Sequence, residues 1–99
     1  MPETSLRVVA RITARPETVN EVRTILLGLV APTRAERGCV VYELLQNRTD
    51  PTDFTFVEEW ASDASFERHH TTNHIRSAFP RLEPLLAAPP DIRTYSLLA

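Results

Sequence analysis

A change in hydrophobic period near residue 15 is the feature that most constrains how this chain can fold. Residues 6–13, LRVVARIT, are rich in β-branched side chains and place their apolar residues largely on one face, which is the period of a strand. From Val19 onward the apolar residues recur three and four positions apart, as in an amphipathic helix. A strand followed directly by a long helix predicts a helix layer packed on one face of a sheet.

The later segments extend this pattern to the order β-α-β-β-α-α-β. The predicted elements after the first helix are strands at 39–47 and 54–60, helices with N-caps at Ser62 and Asn73, and a closing strand at 91–98. The tetrapeptide YELL at 42–45 also has an echo in YSLL at 95–98. Together these features predict an α+β, ferredoxin-like fold, in which split βαβ units form an antiparallel sheet with helices on one face.

Two residues predict local features of the first helix. Pro32 lacks the amide hydrogen of the helical ladder, so we expect a kink or pause there. Gly38 is expected to cap the helix C-terminus.

Chain length predicts a single domain over residues 1–99, with only one small core. The predicted helices cover one face of the sheet and leave the other bare. We therefore expect a homodimer that packs sheet against sheet.

Charge and residue usage exclude several classes of protein. The net charge of −2 and the interspersed signs leave no basic stripe, so nucleic acid is not an expected partner. The N-terminal sequence has neither a signal-peptide pattern nor a long apolar stretch, which predicts a cytoplasmic protein without a membrane partner. A lone cysteine, Cys39, cannot supply a thiolate zinc cluster. The only glycines, Gly28 and Gly38, form no phosphate-binding loop, so no cofactor is expected.

The segment from Glu58 to His74 contains the single tryptophan and all three histidines of the chain. Strand alternation places Phe56, Glu58 and Trp60 on one face. If that face lies beneath the helices, Glu58 loses hydration, its pKa rises, and it can exchange protons near neutral pH. If the strand end is open, Glu58 is an ordinary solvated carboxylate.

The histidines leave two interpretations open as well. His70 and His74 have the four-residue spacing that can hold a metal from one helix face, but no third ligand is evident in the sequence, so no metal site is predicted. His69 follows Phe66 by three positions, which places it near the apolar side of its helix, whereas His70 points toward solvent. His69 is therefore either a packed structural residue or a pocket residue.

Three segments, APTRAERGCVVYEL, FVEEWASDASFERHHTTNH and LEPLLAAPPDIRTY, resemble the antibiotic biosynthesis monooxygenase family. The resemblance implies a dimeric α+β barrel with a pocket between sheet and helices in each protomer. It also implies activities known in the family: cofactor-free oxidation of quinols or polycyclic phenols by O2, processing of a signalling sugar, or haem degradation. The haem-degrading relatives have an asparagine where this chain has Ala10.

The resemblance also implies a set of site residues. Trp60 matches a pocket tryptophan of the oxygenases, and His69 and His74 match paired histidines. The resulting hypothesis is a cofactor-independent monooxygenase that acts on a small aromatic quinol with O2. Its expected catalytic residues are His69, His74 and Glu58, and its expected substrate-binding residues are Trp60, Phe56 and Tyr42.

Two alternatives remain open. One is a non-catalytic dimer that binds a small aromatic ligand in the same pocket. The other is an isomerase or processing enzyme for a phosphorylated signalling sugar, which would use cationic residues such as Arg11 or Arg76.

Overall fold

The computed structural model describes residues 5–99. The strands are β1 (Leu6–Thr13), β2 (Cys39–Gln46), β3 (Asp53–Trp60) and β4 (Asp91–Ser96). The helices are α1 (Val19–Arg34), α2 (Asp63–His69) and α3 (Asn73–Leu82), with 3-10 turns at Pro16–Thr18 and Glu83–Leu85. None of the helices within residues 5–99 is long and apolar enough to cross a bilayer.

The four strands form one antiparallel sheet in the order β2-β3-β1-β4. The two central strands, β1 and β3, pair along their whole length, with Val8 opposite Glu58 and Ala10 opposite Phe56. The edge strand β2 contains the whole tetrapeptide 42–45, whereas the edge strand β4 ends at Ser96, two residues before the predicted end at 98, and contains only the first half of 95–98. This is the predicted ferredoxin-like α+β fold.

The core lies between the inner face of the sheet and the helices. Every second residue of β3 is buried there, and so are the alternate residues Val8, Ala10 and Ile12 of β1, as strand alternation predicted. The opposing helices contribute Val22, Leu26 and Leu29 from α1 and Ile75, Ala78 and Leu82 from α3. Burying each large apolar side chain contributes about 1.5–3 kcal/mol, so this interface holds the helices on the sheet.

Three local predictions differ from the structure. Of the kink or pause predicted at Pro32, the pause is absent, because helix α1 continues through Pro32 to Arg34; the carbonyl that loses its donor belongs to Gly28, an exposed residue. The helix ends at Arg34, so Gly38 lies beyond its cap. The N-cap of α3 is Thr72, and Asn73 is the first helical residue.

Gly38 has a different role from the one predicted. Its φ of +88° lies in the left-handed region, and a Cβ added there would stand 2.4 Å from the Cβ of Ser65 in α2. Its carbonyl accepts a hydrogen bond of 2.8 Å from the amide of Ala61. Glycine thus lets the segment between α1 and β2 lie directly against the start of α2, which brings Glu36 into the neighbourhood of the histidines.

Candidate functional site

An apolar cavity of about 50 Å³ lies between the inner face of the sheet and helices α1 and α3. Its polar lining residues are Tyr42, Glu58, His69 and His70. The remaining wall is apolar and comes from β1, β3, β4 and the three helices. Two of the apolar lining residues, Phe79 and Ile92, are exposed, and they mark where the cavity meets solvent.

Glu58 is one of the few ionisable groups in this core. It is only 4% exposed, and its Oε1 accepts a hydrogen bond of 2.8 Å from the indole nitrogen of Trp60. Desolvation raises the pKa of Glu58 to about 7, although the bond from Trp60 opposes the rise, and the nearby charge of Glu36 adds to it. Of the two interpretations left open by the sequence, the structure selects the desolvated carboxyl.

Tyr42 and Phe56 form an aromatic wall of the cavity. Their rings stack with centroids 4.7 Å apart, and both side chains are buried. Burial, and next the charge of Glu58, raises the pKa of Tyr42 far above its ordinary value. Its hydroxyl therefore stays protonated at neutral pH and cannot serve as a base.

Trp60 stands behind the cavity and does not line it. The side chain is fully buried at the end of β3, and its ring centroid lies 4.9 Å from that of His69. Since Trp60 also donates to Glu58, it holds two of the expected catalytic side chains in place.

His69 ends helix α2 and faces the cavity. The helix begins with a capping box between Ser62 and Ser65, which fixes its start and hence the direction of His69 in its last turn. The Nδ1 atom of His69 lies 2.7 Å from Oε2 of Glu36. Burial lowers the pKa of His69, and the hydrogen bond to Glu36 opposes that shift.

This contact determines the tautomer of His69. A carboxylate only accepts hydrogen bonds, so Nδ1 of the neutral ring carries the hydrogen and donates it to Glu36. The other ring nitrogen, Nε2, then has a free lone pair. Within residues 5–99 no side-chain or backbone group bonds to it, which leaves it available to a bound molecule.

His74 lies outside the cavity lining, although the sequence grouped it with His69. It is the second residue of α3, and its Nε2 lies 2.6 Å from the same Oε2 of Glu36. Its Nε2 also lies 3.3 Å from the hydroxyl of Thr72. His69 and His74 thus both contact the carboxylate of Glu36, a residue that was not predicted to belong to the site.

Little in the sequence indicated that Glu36 belongs to the site. It lies in the polar segment TRAERG after α1, where a glutamate is most often solvated. His70 and His74, for which the sequence predicted no metal site, have separate partners: the Nδ1 atom of exposed His70 lies 3.0 Å from the carbonyl oxygen of Phe66, whereas His74 contacts Glu36. Glu36 instead lies with His69 and His74, and one nitrogen or oxygen atom from each of the three side chains falls within 4.8 Å of the others.

Arg11 and Arg76, the two arginines that could have bound a sugar phosphate, lie outside the cavity. Arg11 is exposed on the outer face of the sheet and pairs with Asp53 at 3.3 Å, and Arg76 is exposed on α3. No arginine of residues 5–99 lines the cavity. The cavity therefore offers no cation to a phosphate group.

These features define a class of protein: a small ferredoxin-like domain with an apolar cavity. The cavity is lined by a carboxyl whose pKa is about 7, Glu58, and by an imidazole held in one orientation, His69. The chain belongs to the antibiotic biosynthesis monooxygenase family, whose sequence pattern it matches over residues 5–81.

The chain is also similar to individual proteins from several bacteria. The chain is 30% identical over 83 residues to a Bacillus subtilis protein named "Putative monooxygenase YcnE", covering 84% of this chain and 87% of that protein. It is 27% identical over 90 residues to the uncharacterized protein sll1783 of Synechocystis, covering 91% of this chain but only 61% of that longer protein. The crystal structure of PA3566 from Pseudomonas aeruginosa superposes with a TM-score of 0.94 at 38% identity, over 100% of this chain and 99% of the other.

Proposed function

We propose that this protein is a cofactor-independent monooxygenase that oxidises a quinol or a related phenol with O2. The observation that carries the proposal is the placement of Glu58 and His69 on the wall of one apolar cavity, with the pKa of Glu58 raised to about 7. A carboxyl with that pKa accepts a phenolic proton far better than an ordinary one and still releases it at neutral pH.

The lining of the cavity suits an electron-rich aromatic ring. Phe56 and Tyr42 provide faces for stacking, while Glu58 and His69 provide polar partners for hydroxyl groups. The enclosed volume of about 50 Å³ is smaller than the ~150 Å³ that holds a benzene ring in an apolar core. Entry of a substrate therefore requires Phe79 and Ile92 to move outward at the mouth.

In the proposed reaction, the quinol supplies every electron that reduces O2, and no other reductant is needed. Glu58 takes a proton from one hydroxyl, and the resulting quinolate transfers one electron to O2. The semiquinone and superoxide then combine at a ring carbon that bears hydrogen, and Glu58 returns its proton to form the ring hydroperoxide. Cleavage of the O–O bond with loss of that C–H proton releases water, and the product is a hydroxyquinone. The quinol supplies all four electrons that reduce O2.

Each side chain has a defined part in this scheme. Glu58 moves the proton, and Nε2 of His69 accepts a hydrogen bond from the second hydroxyl. Trp60 holds Glu58, and Glu36 holds His69 in the tautomer that leaves Nε2 free. His74, which touches Glu36 and not the cavity, is a positioning residue.

The family assignment and the name of the Bacillus subtilis relative support a monooxygenase. The geometry favours a quinol over a sugar phosphate, because the cavity is apolar and lacks arginine. A non-catalytic pocket for an aromatic ligand is the remaining alternative, and it makes the opposite prediction for oxygen uptake.

We propose further that two copies of the chain form a dimer through the outer face of the sheet. No helix of residues 5–99 covers this face, which displays Val9, Val41, Val57 and Tyr95 around an ion pair of 3.4 Å between Arg7 and Glu59. An apolar sheet face of this kind is stabilised by a second layer, and a second copy supplies one.

Oxygen consumption tests the proposed reaction. EDTA-treated protein is mixed with 1,4-naphthalenediol or with 2,3-dimethyl-1,4-naphthalenediol, and each rate is corrected for autoxidation. We expect saturable uptake with the first quinol only, since the second has no C–H on the quinol ring to replace. Uptake should fall about 100-fold or more in Glu58→Gln and remain unchanged in Glu59→Gln, whose side chain lies on the outer face of the sheet. Absence of uptake above autoxidation, or equal rates in the two variants, would exclude the proposal.

A further inference from the structure

Glu36, His69 and His74 form an acid–imidazole cluster beside the cavity. The three residues come from separate elements: Glu36 from the segment after α1, His69 from the end of α2, and His74 from the start of α3. Both imidazoles contact the same oxygen, Oε2 of Glu36, at 2.7 and 2.6 Å. Within residues 5–99, every hydrogen bond of this carboxylate involves Oε2, so Oε1 is free for another contact.

This donor set is one that divalent transition metals prefer. Two imidazole nitrogens and one carboxylate oxygen suit Zn²⁺, which takes three protein ligands and leaves a fourth position for water. The three candidate ligand atoms all lie within 4.8 Å of one another. Ligands placed at about 2.0–2.1 Å around a tetrahedral ion stand roughly 3.3 Å apart, so accepting an ion requires shifts of less than about 1 Å.

The environment of the cluster also fits a bound ion. The side chains of His69 and Glu36 are 6% and 11% exposed, whereas that of His74 is 22% exposed. Packing thus holds His69 and Glu36 in place, whereas His74 is partly exposed to solvent, from which an ion can reach the cluster. His70, the neighbouring histidine, has a different partner, the carbonyl oxygen of Phe66 at 3.0 Å.

We propose that Glu36, His69 and His74 form a binding site for one divalent transition-metal ion, with Zn²⁺ as the ion that the ligands fit best. The ion takes the place of the two hydrogens that the imidazoles donate to Glu36. His69 binds the ion through Nδ1 and moves its single hydrogen to Nε2, and His74 binds through Nε2 with its hydrogen on Nδ1, so no net charge is buried beyond that of the ion and the carboxylate. Bound zinc ties the segment after α1 to both α2 and α3.

The site can be tested without any assay of activity. Untagged protein is stripped with EDTA, incubated with excess ZnCl2 and passed through a desalting column, and retained zinc is measured by atomic emission. We expect one zinc per chain for the wild type and for the control variant His70→Ala. Glu36→Gln and His74→Ala should each weaken the affinity about tenfold or more, as measured by calorimetry.

Thermal unfolding provides a second measurement. Zinc that binds only the folded chain raises the midpoint of unfolding, and the rise should be absent in the Glu36→Gln/His74→Ala double variant. Circular dichroism before the titration verifies that this variant is folded. No retained zinc in the wild type, or equal retention by wild type and double variant, would overturn the proposal. Neither result bears on oxygen uptake by the EDTA-treated protein, so the proposed oxygenase reaction stands or falls separately.

Discussion

The indole nitrogen of Trp60 donates a hydrogen bond of 2.8 Å to Oε1 of Glu58, two residues earlier on the same face of β3. Both side chains are buried, with exposures of 4% for Glu58 and 0% for Trp60. Desolvation raises the pKa of Glu58, and this hydrogen bond partly offsets the rise. The bond therefore helps to set the pKa of the carboxyl that moves the proton in the proposed reaction.

Replacing Trp60 with Phe should raise the pKa of Glu58 further above 7, because the hydrogen bond from the indole lowers it. A hydrogen bond to a charged group contributes about 1.5–3 kcal/mol, so the expected rise is roughly 1–2 units. The measurement is a carboxyl titration by difference infrared spectroscopy against Glu58→Gln. Phe66→Leu, which removes a neighbouring ring without touching the bond, is the control. A pKa that stays the same or falls in Trp60→Phe would contradict this account.

The stability of the fold should decrease with pH because of Glu58. Its pKa is about 7 in the folded chain against 4.5 for an ordinary glutamate. Between these values the unfolded chain releases the proton and the folded chain keeps it, so ionisation favours unfolding. Relative to Glu58→Gln, the wild type should lose roughly 3 kcal/mol of unfolding free energy as the pH rises from about 4 to about 8, and none further above that range.

Urea denaturation across that pH range measures the effect. Glu59→Gln, altered on the opposite face of the same strand, should follow the wild type. If the difference between wild type and Glu58→Gln did not vary with pH, the carboxyl would be hydrated in the folded protein.

Gly38→Ala should destabilise the fold by about 2 kcal/mol or more. The new methyl group meets Ser65 at 2.4 Å, and the φ of +88° is itself costly for an L side chain. Gly28→Ala is the matched control, because nothing lies within 4 Å of its added Cβ in α1 and alanine favours helices. The control should gain about 0.5–1 kcal/mol in urea denaturation. Equal effects of the two substitutions would show that the close approach to α2 is not required.

Val57→Glu should convert the proposed dimer into a monomer. The change places a carboxylate at the centre of the outer sheet face, beside Glu59 and opposite Glu43. Like charges without compensating partners oppose association of two identical faces. Light scattering coupled to gel filtration measures the mass, and Leu27→Glu on exposed α1 surface is the control. A wild type that is already monomeric, or a variant that stays dimeric, would refute the proposed interface.

The sequence predicted the order of elements because strand and helix periods are local properties of side-chain direction. The parity of β3 placed Glu58 with Phe56 and Trp60, and the helical spacing placed His69 inward and His70 outward, all of which the structure confirms. The predictions were wrong at the ends of elements. For example, the N-cap of α3 is Thr72 and not the predicted Asn73, because starting a helix one residue earlier or later changes its free energy only slightly.

Only the tertiary structure decided the contents of the site. Glu36 is 33 residues from His69 and 38 from His74 along the chain, and their meeting depends on the path after α1 and on how two helices dock. Burial of Glu58 likewise depends on which sheet face the helices cover. Local pattern determines which side chains share a face, whereas distances across the core and loss of hydration arise only when separate elements pack together.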